Sequence, residues 1–471
     1  MTVKIDRTKP EFDLETAVIV VGAGAAGLTA ALAARDAGAE VLLLERDPVA
    51  RGSTCMSQGF VCAAGTSLQA ERDIEDDADR FYEDIMARTR GQADPVLARA
   101  VAENSGRAID WLKDRHGIPF VMNISWAGFF GHSVNRMHGV PSKRGEELHG
   151  ALMRAAEEAG VDVITGAHVD LLYADADDRV TGVRVQRTDG SVEKVGCDAL
   201  VLATCGFGAN EEMVKEFIPS FGTASYYKYF GHEGNEGEGI QWGRELGGAL
   251  GSMDAFQGYG ALAGAYGIIV NYDILMRGGI TVNTEGKRFS NENLDISAQS
   301  LNVLRQPDGI AWIIFDDARR ELVQDLPEFQ DLTKLGAFKT AATVEELAEV
   351  IKVPAGALRE TLDESRRLAA GEGSCPFGRD FTLNPPLSEG PFHAIQTTGA
   401  LFHTQGGLKV DGRAQVLRED GTVLPNLFAS GGTAESISGN HCDGYLPAAG
   451  LCMAVTLGML AGDAAAKLNE D

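Results

Sequence analysis

A chain of 471 residues, 44% apolar and 23% charged, exceeds one minimal core and has neither the composition of a disordered chain nor that of a fibrous repeat. Its 42 Lys and Arg stand against 68 Asp and Glu, and the formal charge of -26 would repel a phosphate backbone, so nucleic acid is not expected as a partner. The seven cysteines show no CxxC pair and no zinc, haem or iron–sulfur spacing, so they read as reduced thiols with no metal site, and the charged segment Met1–Glu15 lacks the apolar core of a signal peptide, which points to the cytoplasm.

Ala17–Val21 is a short unalternating apolar run, which suits a parallel strand covered on both faces. Gly22-Ala23-Gly24-Ala25-Ala26-Gly27 leads into an Ala- and Leu-rich helix, Gly38 stops it, and Val41–Leu44 is a second strand ending in Glu45, 21 positions after Gly24. The glycines let backbone approach a pyrophosphate, the helix N-terminus offers N–H groups and a positive dipole end, and Glu45 is placed to accept from a ribose. This spacing defines a dinucleotide-binding βαβ unit without choosing between nicotinamide and flavin.

From about Asp73 to Gly160 the spacing predicts helices at Ala78–Arg90, Pro95–His116 and Glu146–Ala159, around a polar loop at Gly131–Gly139. The period then shifts towards two: Val161–Thr165, Val169–Tyr173, Thr181–Thr188 and Ser191–Val195 predict a strand and a meander, and Ala199–Ala203 a further parallel strand. Gly-rich loops and short strands from about Asp254 to Gly390 mark an inserted domain. Gly406–Val410 and Leu427–Ala429 then read as strands, Gly431-Gly432 as a tight turn and Leu451–Leu468 as a closing helix. Tyr445–Gly462 carries no charge, but Pro447, Gly450, Gly458 and Gly462 suit a closely packed buried helix better than a membrane span, and no span is expected. The expected fold class is α/β: a Rossmann-like domain with a parallel sheet over residues 1–254 and 391–471, and an α+β domain inserted at 255–390.

Five segments in order, Gly52–Gly59 (GSTCMSQG), Ala203–Gly208 (ATCGFG), Gly279–Glu292 (GITVNTEGKRFSNE), His403–Val410 (HTQGGLKV) and Gly431–Gly462, resemble the fumarate reductase/succinate dehydrogenase flavoprotein superfamily, and most of all its 3-ketosteroid dehydrogenase-like branch. The resemblance runs from about Ala17 to Ala465 and implies an FAD enzyme that moves a hydride between flavin N5 and a C–C bond beside a carbonyl group, with the inserted domain as a cap over the substrate. It assigns the adenosine and pyrophosphate to Gly22, Gly24, Ala25, Gly27, Glu45 and Arg46, the ribityl chain and ring to Gly52, Ser53, Thr54, Ser57 and Gly59, and the adenine to Val169. Ala203, Gly206, Gly432 and Leu451 complete the cofactor set. Ser53 stands where membrane-bound succinate dehydrogenases carry flavin on a histidine, so the FAD is expected to be non-covalent.

Fumarate reductases hold two substrate carboxylates with His and Arg, and three of those cationic positions fall here on Phe402, Tyr445 and Ile296, leaving Arg277 of the set. An unpaired dicarboxylate there would cost several kcal/mol, about 2 or more for each desolvated charge, which argues against fumarate or succinate. The expected substrate is a ketone with an apolar or alicyclic body, with Tyr445 polarising its oxygen as the matching tyrosine does in ketosteroid dehydrogenases. Tyr259 or His403 would move the proton, with Asp295 and His441 as further candidates; Phe402, Ile296, Asp295 and Arg277 would face the substrate. Two alternatives stand beside this: a tricarballylate dehydrogenase-like or enoate-reductase-like enzyme that binds a carboxylic acid through Arg136 or Arg277, and a flavin-binding electron carrier, against which a cap domain argues. The partners expected are the small-molecule carbonyl substrate and an external electron acceptor, whether oxygen, a quinone or a carrier.

Overall fold

An apolar run without alternation needs cover on both faces, and Val18, Ile19, Val20 and Leu43 have no exposed surface. Leu14–Val21 pairs in parallel with Val41–Leu44 on one side and with Val192–Leu202 on the other, and the helix Ala25–Asp36 makes the crossover. The computed structural model describes residues 3–222 and 228–468. It divides into two units, the first comprising Met1–Ile218, Gly231–Phe256 and His403–Asp471, the second Pro219–Phe230 and Gln257–Phe402.

The first unit is organised on a nine-stranded sheet in the order Ile5–Asp6, Ala167–Ala174, Val180–Arg187, Val192–Leu202, Leu14–Val21, Val41–Leu44, Asp162–Ile164, with Val423–Ala429 also parallel to Val192–Leu202 and Gln415–Leu417 antiparallel to Val423–Ala429. The expected strands Ser191–Val195 and Ala199–Ala203 are one strand. Residues Val192–Gly196 pair antiparallel with Val180–Arg187, while Val195–Leu202 run parallel to Leu14–Val21. Gly196 makes no turn between them; it leaves room for the Phe12 ring, which an added Cβ would approach to 2.8 Å.

Helix Ala449–Ala466 lies against helix Ala25–Asp36 at backbone contact distance: a Cβ at Gly458 would come within 2.6 Å of the Ala26 carbonyl oxygen, and one at Gly462 within 2.0 Å of that of Ala30. By length and composition this helix could cross a membrane, but 72% of it is buried within the protein.

The second unit is an α+β structure on a six-stranded sheet in the order Ile268–Ile269, Phe256–Ala263, Phe392–Thr404, Ile310–Asp316, Ile280–Val282, with Lys339–Ala341 paired to Phe392–Thr404. Helices Val344–Ile351 and Ala355–Ala369 bury Leu347, Leu358 and Leu362 in a core with Ile280, Ile314 and Phe392. This unit is larger than the expected 255–390. It runs on to Phe402 because Phe392–Thr398 pair residue for residue with Asp316–Ile310, and it takes in 219–230, where Tyr229 bridges to Leu401.

Gly462→Ala should therefore lower stability by about 1–3 kcal/mol, because backbone on one side and helix on the other leave the methyl no way out. Gly150→Ala, in helix Gly145–Glu158 where only the flexible Arg154 tip comes within 4 Å, should stabilise by about 0.5–1 kcal/mol. Denaturant titration of both variants at saturating FAD checks the opposite signs.

Candidate active site

The glycine loop of the first unit is held by backbone. Gly22 has φ 104°, and a Cβ there would stand 2.4 Å from the Ala203 carbonyl oxygen; a Cβ at Gly27 would stand 1.8 Å from that of Gly22. At Gly24, by contrast, the Thr54 hydroxyl at 3.5 Å is the nearest atom to an added Cβ, and at Gly52 nothing lies within 4 Å, so space is open beside the helix start. Thr54 Oγ1 accepts from the Ala25 N–H at 2.9 Å, supplying the cap that Gly24 cannot. The Glu45 carboxylate accepts from the N–H groups of Ala23 and Asp47 at 2.8 and 2.9 Å, which fixes its orientation at the end of Val41–Leu44. His149 donates from Nε2 to the Ala23 carbonyl at 2.9 Å, and burial pushes its pKa down, keeping it neutral. Arg46 lies near three carboxylates, Asp47, Glu236 and Glu238, at 3.7–3.9 Å.

Following the chain, Ser57 Oγ donates to the Thr54 carbonyl at 2.7 Å and accepts from the Gly59 N–H at 3.1 Å, bracing the turn after helix Gly52–Met56. Ser53 Oγ accepts from the Asn235 side chain at 2.8 Å. The Cys205 sulfur lies 3.8 Å from Ser53 Oγ and 3.4 Å from His403 Nε2, and Gln405 contacts His403 Nδ1 at 3.0 Å. Gly206 and Gly432 carry no side chain because a Cβ at Gly206 would meet Thr404 Oγ1 at 2.0 Å and one at Gly432 the His403 ring at 2.6 Å. Leu451 is half-buried in the first turn of Ala449–Ala466, and Val169 is a buried sheet residue opposite Val185.

Tyr445 is buried in the same unit, three residues before the N-cap Ala448 of Ala449–Ala466. Burial raises its pKa, so the phenol stays protonated and is a hydrogen-bond donor. Arg88 Nε donates to the Tyr445 carbonyl at 3.2 Å and His132 Nε2 to that of Pro447 at 3.0 Å, so the backbone of this segment is fixed from two sides.

In the second unit Tyr259 stacks on Phe402 with ring centroids 4.9 Å apart, Tyr272 meets Tyr259 edge-on at 5.1 Å, and Phe230 lies 5.2 Å from Phe402. The Tyr259 hydroxyl donates to the Val270 carbonyl at 3.0 Å, and burial, with the neighbouring Tyr272, raises its pKa well above the ordinary tyrosine range. It is therefore a core aromatic and a poor base, against the proton-transfer role expected of it. Ile296 is buried, Asp295 accepts from the Ala298 N–H at 2.6 Å at a helix start, and Arg277 is exposed. His441 is on the surface, 3.5 Å from Asp254. The RFSNE segment is structural: Glu292 accepts from Arg288 at 2.7 and 2.9 Å and pairs with Arg379 at 2.9 Å, and although burial opposes ionisation, the two arginines hold its carboxyl down at about 2. Arg136, expected as a possible acid-binding cation, is fully buried and satisfied by Asp76 on two nitrogens and by Asp84 on the third.

Sequence reasoning missed His149, Asn235 and the Cys205–His403 contact. His149 was visible as a polar residue in register with Leu152 and Ala156 on the buried helix face; Asn235 sits in a Gly-rich loop with no such signal.

A parallel βαβ unit with a backbone-walled glycine turn, an oriented acidic residue and a closing helix is the architecture of a dinucleotide-binding protein. Residues 17–452 match the family described as "FAD binding domain". The "Fumarate reductase (cytochrome)" of Shewanella frigidimarina is 30% identical over 96% of this chain and 77% of its own length. Among solved structures, an open flavocytochrome c3 fumarate reductase has a TM-score of 0.82 at 29% identity, covering 98% of this chain and 79% of that one. The 3-ketosteroid-Δ4-(5α)-dehydrogenase of Rhodococcus jostii RHA1, in complex with 4-androstene-3,17-dione, has 0.78 at 27%, covering 99% and 100%. The chain belongs to the FAD-binding fumarate reductase/succinate dehydrogenase flavoprotein superfamily and is an FAD-dependent oxidoreductase acting on CH–CH bonds.

Burial pushes His132 and His138 down to about 4 from an ordinary 6.5. Neutral when folded, each takes up a proton on unfolding once the pH is below 6.5. Stability is thus complete above 6.5 and falls from there to about 4, where the unfolded chain binds more protons. Each histidine contributes up to about 3 kcal/mol to the fall. Urea titrations between pH 7 and 4.5 should show the loss, and His138→Gln, measured alongside, should flatten it.

Proposed function

We propose that the enzyme introduces, or in the reverse sense reduces, the α,β C=C bond of a ketone with an apolar or alicyclic body, using non-covalently bound FAD. One observation carries the choice of ketone over acid. The buried arginines among the described residues, Arg136, Arg288, Arg319 and Arg379, are each already paired with a protein carboxylate, while Phe402, Tyr445 and Ile296 stand where the relatives' resemblance calls for cations. A substrate carboxylate would have to compete with those pairs, whereas a ketone needs only a hydrogen-bond donor. The ketosteroid dehydrogenase neighbour, solved with a diketone, supports the same choice.

In this reading Gly22, Gly24 and Gly27 admit the pyrophosphate to the helix start, Glu45 takes the ribose, and Thr54, Ser57 and Gly59 shape the wall along the flavin. Bound FAD supplies a two-electron acceptor or donor at N5. Tyr445 donates to the carbonyl and so acidifies the α C–H. His403 is the proton-transfer group, since Tyr259 is committed to Val270: as imidazolium it gives the α proton in the reducing sense, and as imidazole it takes that proton in the oxidising sense. Electrons leave to an external acceptor.

Anaerobic mixing of oxidised enzyme with cyclic ketones and with succinate tests this directly. Ketones should bleach the flavin band, and bleaching by succinate alone would overturn the proposal. Tyr445→Phe should cut turnover by about ten- to a thousandfold, as expected when one oxyanion donor is lost. Acid precipitation should leave yellow flavin in the supernatant, whereas colour retained by the pellet would show a covalent link.

A further inference from the structure

Cys205 and His403 face each other with Sγ 3.4 Å from Nε2, both half-buried. Cys205 has φ 65°, a left-handed conformation that a residue with a Cβ adopts only at a cost and that clusters at functional sites. In that turn the sulfur faces the imidazole. The Gln405 amide, which accepts from an imidazolium N–H when it presents its oxygen, lies 3.0 Å from the far ring nitrogen, and Gly432 leaves the ring its place. The other side chains around the pair, Ser53, Asn235, Thr404 and Thr433, are uncharged, so each member is the principal charge that the other meets.

We propose that the Cys205–His403 pair is a covalent modification site for electron-poor alkenes, the compounds that enzymes of this class form or consume. Burial disfavours both ions, but their mutual attraction outweighs it, lowering the Cys205 thiol and raising His403. The sulfur then attacks the β carbon of the alkene. A C–S bond forms as the C=C π pair moves to the α carbon, which takes the proton from His403 Nε2; the net change is addition of a thiol across a double bond, with nothing oxidised or reduced. Burial raises Cys55, Cys62 and Cys197, whereas Cys375 is lowered by Arg288 at 3.4 Å but faces a guanidinium bound to Glu292 rather than an imidazole, which makes it the internal comparison. The inference rests on the CH–CH chemistry of the family and not on the ketone.

N-ethylmaleimide, itself an electron-poor alkene, is the probe. Holoenzyme treated at pH 6.5 and mapped by peptide mass spectrometry should be labelled first at Cys205, about tenfold faster than at any other cysteine. In His403→Gln the Cys205 rate at pH 6.5 should drop about tenfold and its half-point should climb towards the ordinary thiol value of 9.0. Labelling of Cys205 no faster than Cys375, a pH profile untouched by His403→Gln, or labelling confined to flavin-stripped protein would each overturn the proposal. The wild-type comparison stands alone should the variant fold poorly, and none of these readouts depends on which substrate bleaches the flavin.

Discussion

The first unit depends on backbone lying against backbone without side chains between. The carbonyls of Gly22, Ala26, Ala30 and Ala203 each occupy the position a methyl group would take at Gly27, Gly458, Gly462 or Gly22. Such contacts are short, stiff and intolerant of added volume. They set the height of helix Ala25–Asp36 above the sheet, and with it where the helix N-terminus and the carboxylate of Glu45 stand. The small residues of Ala449–Ala466 serve the same end, which explains a segment apolar enough for a membrane being buried in a core.

The electrostatic design is one of internal closure. Glu292 joins two arginines, Arg136 joins two aspartates, and Arg319 folds back on Asp316. Buried ion pairs of this kind fix geometry more than they add stability. The Tyr445 hydroxyl and the Cys205–His403 pair stand outside these ion pairs. Reaction at a CH–CH bond is suited to such a setting, because charge appears only as the reaction proceeds.

Local patterns in the sequence carry the elements whose cause is local. Helix Pro95–His116 has the expected bounds, since Asp94 caps it, Pro95 starts it and Gly117 ends it in a left-handed turn. The run Ala17–Val21 and the glycines after it identify the nucleotide unit for the same reason. What was illegible depends on residues far apart in the chain. Strands Ser191–Val195 and Ala199–Ala203 look separate in the sequence, but they run on through Gly196, against which Phe12 lies. Segment 219–230 joins the second unit through a bridge to Leu401. Arg136 looks available until Asp76 and Asp84 arrive from a different helix and loop, and Tyr259 looks reactive until its hydroxyl meets Val270. Side-chain commitments of this kind leave no periodic trace.

The seam between helices Ala25–Asp36 and Ala449–Ala466 also imposes an order in time. The first helix is buried nearly all round, yet its covering partner is encoded more than 400 residues later. During synthesis the nucleotide-binding strands and turn emerge early and wait, their apolar helix uncovered, while the second unit is made in between. The flavin-binding unit can therefore close only once the second unit has been made, and a newly made chain presents a sticky, cofactor-free surface for that whole interval.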